Sequence, residues 1–302
     1  MIAIGGDSGS GKTTLCNGFE RIFGSNRIET IELESYHSLD RAQRRAVGFS
    51  ALNPRATNFA AMEEDLWALR EGRGIDQPTY DHSDGTFGEI RHVEPTELIL
   101  VSGLFPLYTR AMRSLFDVSV WLAPQPELKS AWKLQRDTQE RGYTPEQVRA
   151  EVDEGRVALD KYVQPQARYA DLTLTFYRSG DDSGVDDTRL SARIRKGGRL
   201  RPLEYAEFES PATSINRLES GDGGYPETVI EIAGGAPSAV AQAVEHKIWS
   251  HVDAHAHALA DGIGSFTDAS GRPAHSHALA IAELLIARRV VLIERDLLEM
   301  VP

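Results

Sequence analysis

The sequence predicts an α/β fold: a mainly parallel sheet flanked by helices, with a mixed strand and helix elaboration at the C-terminal end. Three observations carry this reading. Strand and helix signals alternate through residues 1–176, the pattern of parallel strands joined by covering helices. Beyond residue 179 the texture changes: Leu190, Ala192 and Ile194 alternate with polar residues, as do Val229, Glu231 and their neighbours, which suits antiparallel strands. Near the start, Gly6-Asp7-Ser8-Gly9-Ser10-Gly11-Lys12-Thr13 fits G-x-x-x-x-G-K-[ST] in the context that motif requires. An apolar run at 1–5 precedes it, and Leu15, Phe19, Ile22 and Phe23 follow at helical spacing up to Gly24.

Strand, glycine loop and helix start make an anion site. Glycines let backbone N–H groups turn inward, and the helix N-terminus adds partial positive charge. The motif therefore points to a bound nucleotide triphosphate held by Gly6, Asp7, Ser8, Gly9, Ser10, Gly11, Lys12, Thr13 and Thr14. Lys12 would reach the β- and γ-phosphates, and the Thr13 hydroxyl would hold Mg²⁺.

Residues 27–33 read as a second strand, running into the polar loop from Glu34 to Arg41. Thr57 or Asn58 caps a helix with Phe59, Met62, Leu66 and Leu69 on one face, ending at Gly72. The stretch 78–85 reads as a turn-prone loop. Leu98-Ile99-Leu100-Val101 is a fully apolar strand, 118–122 another, 127–141 and 145–162 consecutive helices, and 172–176 an alternating strand. Residues 179–187 read as an acidic surface loop and 220–224 as a turn. Two helices follow, around 239–260 and 277–300.

At 302 residues and a net charge of −12, the chain lacks the basic face of a general nucleic-acid binder, so anionic ligands must meet locally placed Arg and Lys. The single cysteine, Cys16, excludes an intrachain disulfide and suits a reducing cytoplasm. A core strand beginning at residue 2 leaves no room for a signal peptide, and no apolar run approaches a membrane span.

Ligands of open α/β sheets sit beyond the carboxyl ends of strands, which places Glu34, His37 and Arg41 beside the γ-phosphate. A carboxylate there can take the proton of an attacking hydroxyl, and His37 and Arg41 can bind an anionic acceptor. Lys133, Arg136 or Asp137, and Arg141 share a helix face at i, i+3 or i+4, and i+8, a spacing that also fits a solvated helix with ordinary ion pairs. Tyr80 and His82 stand in the 78–85 loop.

Together these stretches resemble the phosphoribulokinases, within the wider phosphoribulokinase and uridine kinase group, and are nearest the cyanobacterial and chloroplast type. The similarity is carried by the glycine loop through Thr14, Tyr36-His37-Ser38-Leu39-Asp40-Arg41, and Asn53-Pro54-Arg55-Ala56-Thr57-Asn58-Phe59. It continues in Tyr80-Asp81-His82, Gly103-Leu104-Phe105-Pro106-Leu107-Tyr108 and the block 131–142. The resemblance implies transfer of the ATP γ-phosphate to the C1 hydroxyl of ribulose 5-phosphate, with ATP and Mg²⁺ as cofactors. It implies Glu34 as general base, with Lys12 and Asp137 catalytic, and Thr13 and Asp137 on the metal. His37, Arg41, Arg55, Tyr80, His82, Lys133, Arg136 and Arg141 form the implied substrate-binding set. A P-loop kinase core at 1–178, a C-terminal extension of the same domain at 179–302, a cytoplasmic homodimer, and no nucleic-acid or membrane partner complete the expectation.

Two departures bear on mechanism. Glu34-Ser35 stands where the family has two acidic residues, the first of them the base. Ser102 and Phe105 stand where it has a metal-holding Glu and a His. Ser10 also occupies the place of a regulatory cysteine in chloroplast enzymes, so thiol control of that kind is not expected here. The alternatives are a kinase of the same group acting on a nucleoside or another sugar phosphate, and a non-catalytic nucleotide-binding scaffold. Six of nine histidines lie late; His251 and His255 at i, i+4 could share a helix face and bind a transition metal, but packing or subunit contact is the favoured reading.

Overall fold

The computed structural model describes residues 1–179, 186–197, 205–218, 227–253, 259–268 and 270–299, the side chains of 295–299 excepted. The chain divides into two compact units: 1–12, 26–122 and 126–170 form the first, and 13–25, 123–125 and 171–302 the second.

The chain enters through β1 (Ile2–Gly6), every residue buried, and turns into α1 (Lys12–Phe23) and β2 (Ile28–Glu32). A 3-10 turn over Leu33–Tyr36 leads to α2 (Arg41–Ala46). Its N-cap Asp40 and Gln43 satisfy each other's backbone donors in a capping box. Of the two residues able to cap α3 (Phe59–Arg70), Asn58 does so, its side chain accepting from Ala61 N–H. Next come β3 (Ile75–Tyr80) and β4 (Phe87–Val93), an antiparallel hairpin with a register shift between Pro78 and Tyr80. The expectation of a turn over 78–85 is therefore corrected at its front end: strand pairing carries through to Tyr80, and proline is accommodated at the irregularity.

The fully buried β5 (Leu98–Gly103), α4 (Arg110–Leu115) and β6 (Val118–Leu122) follow. Then come α5 (Pro126–Gln139) and α6 (Pro145–Ala158), joined through Gly142 with φ of 69° and opened by a Thr144–Gln147 capping box. The helix read as 145–162 stops at Ala158, widens into a π turn over Leu159–Val163 and then tightens into 3-10 turns to Tyr169. There Gln166, 2% exposed, accepts from Leu107 N–H and donates to Leu104 O, pinning the segment after β5. In the first unit the strands lie β2-β5-β1-β6, all parallel. Ile31, Met62, Leu66, Ile99, Val101 and Met112 make the core between this sheet and α3. Burying such side chains stabilises by about 1.5–3 kcal/mol each, which fixes the strand ends on which the candidate site stands.

The second unit contains α1 beyond its first residue, β7 (Leu172–Tyr177), β8 (Ser191–Lys196), β9 (Thr213–Leu218) and β10 (Glu227–Ile232). Their order β7-β8-β10-β9 is antiparallel throughout, as the period-two pattern implies. After them come α7 (Ser238–Val252), the short pair β11 (Ser265–Thr267) and β12 (Pro273–His275), and α8 (His277–Glu299). The helix expected over 239–260 ends at Val252. The rest of the pair His251–His255, the turn at 220–224 and most of the 179–187 loop lie outside the described residues. Among the described residues no helix is long and apolar enough to cross a membrane.

Candidate active site

Glycine shapes the turn from β1 into α1. Gly9 and Gly11 have φ of 78° and 92°, a region that strains an L side chain. At Gly9 a Cβ would also strike the Lys133 side chain at 2.8 Å, so α5 leans on the loop. Lys12 Nζ donates back to Gly6 O (3.1 Å) and Asp7 O (2.9 Å). Asp7 accepts from Ser8 N–H at 2.7 Å and pairs with Lys129 at 2.6 Å, so it closes the loop on itself. Ser10 is 1% exposed, yet its Oγ has no hydrogen-bond partner among the described residues. Apart from its chain neighbours, no atom of the described residues lies within 4 Å of where a Gly11 Cβ would stand. A buried hydroxyl awaiting a partner, open space over Gly11 and the amino end of a 12-residue helix match what a phosphate chain needs. Thr13 and Thr14 follow directly in the first turn of α1, Thr13 exposed.

One buried carboxylate organises α5. Asp137 is 2% exposed and receives Lys133 Nζ at 2.7 Å, Arg136 Nη2 at 2.7 Å and Arg141 Nη1 at 3.4 Å. Burial pushes its pKa up, but the hydrogen bond from Lys133 and the charges of Arg136 and Lys133 outweigh that and hold it below the usual range. Arg136 also donates to Ser8 Oγ at 2.8 Å, tying this cation cluster to the glycine loop. The shared face is therefore a network and not a solvated stripe.

The carboxyl end of β2 supplies the acid side. Glu34 lines a small cleft with His37, Leu104 and Phe105. Phe105 sits in an aromatic group, its ring 5.7 Å from Phe59 and 5.4 Å from Tyr108. His37 is buried, and desolvation, then the charge of Arg44, bring its pKa down to about 4, so it is neutral at pH 7. The turn between β3 and β4 is clamped by Arg41, which donates to His82 O (2.6 Å) and Ser83 O (3.3 Å). Tyr80 meets both His37 and His82 edge to face at 5.2 Å. Through Tyr80, which touches both His37 and His82, the hairpin turn is set beside the turn that follows β2, and the charges of Arg141, Glu34, Arg136 and Arg41 act on His82. The structure thus gathers Glu34, His37, Arg41, Tyr80, His82, Arg136 and Arg141. Arg55 stands apart in its contacts, its guanidinium over the Phe49 ring at 5.4 Å.

Two residues escaped the sequence reading. Arg44, 6% exposed, donates to Tyr80 Oη at 2.8 Å and to Leu39 O at 2.7 Å. It lies one turn after Arg41, a spacing that could have marked it. Glu32, the last residue of β2, is paired in register with Ser102 on β5. Its side chain is open to solvent yet hemmed in: desolvation and Glu34 raise its pKa, against the pull of Arg91, Arg141 and Lys12. A carboxylate therefore stands one strand over from Ser102. Finding it required strand register, which the sequence does not display.

The chain is 40% identical over 174 residues to a phosphoribulokinase from Synechocystis, covering 58% of this chain and 52% of that protein. To the chloroplastic phosphoribulokinase of Mesembryanthemum crystallinum it is 34% identical over 205 residues, covering 61% and 52%. It spans about half the length of the curated relatives it matches. A phosphoribulokinase structure from Rhodobacter spheroides shares the fold at TM-score 0.60, with 20% identity over 81% of this chain and 93% of that one. The Phosphoribulokinase / Uridine kinase family pattern matches residues 1–181, well over half of the 302, and the chain belongs to that family.

Proposed function

We propose that this chain transfers the γ-phosphate of ATP to the C1 hydroxyl of ribulose 5-phosphate, giving ribulose 1,5-bisphosphate. The observation that carries the reading is the placement of Glu34 at the end of β2 among Arg141, His37 and His82, in an otherwise acidic chain. A doubly charged acceptor needs such a cluster; a neutral nucleoside does not.

In this reading the glycine loop, Ser10 and Lys12 hold the triphosphate, and Arg136 and Lys133 meet its terminal oxygens. Arg41, Arg141, Tyr80, His82 and neutral His37 orient the sugar phosphate, with Arg55 at the periphery. Glu34 takes the proton of the attacking hydroxyl. Catalysis is then mainly positioning and charge neutralisation. For Mg²⁺ the hard oxygen donors that fit in the first unit are the carboxylates of Glu32 and Glu34, and the Thr13 hydroxyl is the donor that the glycine-loop motif itself supplies. Asp137 joins them when phosphate takes over Lys133 and Arg136, since those cations now hold its oxygens. Bound there, Mg²⁺ would neutralise charge on the phosphate oxygens. A cytoplasmic homodimer is the assembly we propose.

The test is ADP release by the purified chain with ATP and Mg²⁺, comparing ribulose 5-phosphate with uridine, cytidine and other pentose phosphates. The expected result is turnover with ribulose 5-phosphate, falling by roughly 10²–10⁴ in Glu34→Gln while ATP still binds. Turnover with a nucleoside alone would favour the second reading, for which the apolar wall of Phe105, Phe59 and Tyr108 is the motivating feature. ATP binding with no acceptor turned over would favour the non-catalytic scaffold.

A further inference from the structure

His275, Ser276 and His277 join β12 to α8. In extended chain, residues two apart project to the same side. Accordingly the two imidazoles meet edge to face with ring centroids 4.8 Å apart. From α7, Glu245 points at them: it is 2% exposed, and its Oε1 lies 2.7 Å from His277 Nδ1. One donor atom from each of Glu245, His275 and His277 lies within 4.8 Å of the other two. Two stretches separate in sequence, α7 and the β12–α8 junction, therefore bring two imidazoles and one carboxylate together.

We propose that Glu245, His275 and His277 form a site for a divalent first-row transition metal of the zinc class. Metal–ligand bonds of about 2.0–2.2 Å in a tetrahedron put donors roughly 3.3–3.6 Å apart, a spacing that side-chain rotation reaches from the observed one. Two imidazoles with a carboxylate select Zn²⁺, Co²⁺ or Ni²⁺ over Mg²⁺, which prefers oxygen alone. The surroundings also suit a metal. The Ile263 backbone lies beside the His275 ring, a neighbour of the kind that can orient a ligating imidazole. At Gly264 a Cβ would meet Ala280 Cβ and Ser276 O at 2.7 Å and His275 Nε2 at 3.0 Å, so the backbone packs closely beside that ring. The buried end of the site is Glu245, 2% exposed. The exposed end is His275, which leaves a coordination position open to water. The site is independent of the nucleotide loop and of the activity proposed above. Its effect would be to join α7 to the start of α8.

The probe is Co²⁺ added to the metal-free full chain without nucleotide, read by its visible d–d absorption. The expected result is one saturable equivalent with a four- or five-coordinate spectrum, displaced by Zn²⁺ and indifferent to excess Mg²⁺. His275→Ala and His277→Ala should each weaken it by roughly tenfold or more. Because His275 is exposed, its variant should keep the wild-type circular dichroism, so loss of the spectrum there reads as loss of a ligand. Absence of saturable Co²⁺ absorption, or absorption unchanged in both variants, would overturn the proposal and leave Glu245–His277 as an ordinary ion pair.

Discussion

Asp137 on α5 and Glu283 on α8 are equally shut away from water, at 2% and 0% exposure, and end in opposite states of charge. Asp137 has Lys133, Arg136 and Arg141 around it and is held ionised. Glu283 accepts one hydrogen bond, from Gly264 N–H at 2.8 Å, and its Oε1 has no partner among the described residues. Burial pushes its pKa up to about 8, against the weaker opposing pulls of Gly264 N–H and Arg21. The difference teaches how to read a buried acid here. A carboxylate kept charged by several cations marks a place where charge is handled and anionic ligands are expected. One left to protonate marks packing, in this case against Gly18 of α1, where any side chain would collide with it.

The comparison breaks most visibly at Asp137. Asp137→Asn keeps the shape and leaves the cations facing one another. Breaking a fully buried pair costs about 3–5 kcal/mol. Arg136 and Arg141 are partly exposed, at 26% and 22%, so solvent screening reduces the expected loss. We expect about 1–3 kcal/mol by denaturant unfolding, together with a drop in phosphotransfer of roughly a hundredfold. Unchanged stability and unchanged turnover would mean the network is ornamental.

Glu32 falls between the two cases, open to solvent but pulled by Lys12 and Arg141 on one side and pushed by Glu34 on the other. If it supplies the carboxylate absent at Ser102, Glu32→Gln should weaken binding of the Mn²⁺–nucleotide complex by about tenfold, read by electron paramagnetic resonance without turnover. Adding Ser102→Glu to that variant should restore binding, since the two positions are register partners. Equal binding in wild type and Glu32→Gln would remove Glu32 from the metal side while leaving the kinase reading intact.

The parallel strands and the glycine loop of the first unit were legible in the sequence because their signals are local, whereas its β3–β4 hairpin was not. The loop from Gly6 to Lys12 prescribes its own backbone, and buried parallel strands such as Leu98–Gly103 appear as unbroken apolar runs. The basic face of α5 was legible as spacing, but not as a network, because the burial of Asp137 depends on the neighbouring loop. Glu32 was not legible, since only the β2–β5 register sets it against Ser102. Glu283 was hidden for the same reason. On helical periodicity it interrupts an apolar stretch, and its burial depends on Gly18, far away in sequence.

The smallest expected effect tests the packing side. For Glu283 the usual pKa of 4.5 applies to the unfolded chain and about 8 to the folded one. Between those values the folded state keeps a proton that the unfolded state releases, so stability falls as pH rises through this window. The contribution is complete below about 4.5 and lost above about 8. Glu283→Gln copies the protonated form and cannot ionise. It should therefore match wild type near pH 5 and exceed it at pH 8 by about 1–3 kcal/mol, less than linkage alone would allow because buried sites relax. In a chain of this size that is a rise in Tm of several degrees. The new amide N–H meets the same lack of a partner as the carboxylic O–H, so the pH 5 comparison is a fair zero. A difference between the two proteins that does not grow with pH would show Glu283 to be ionised in the fold, and the contrast with Asp137 would collapse.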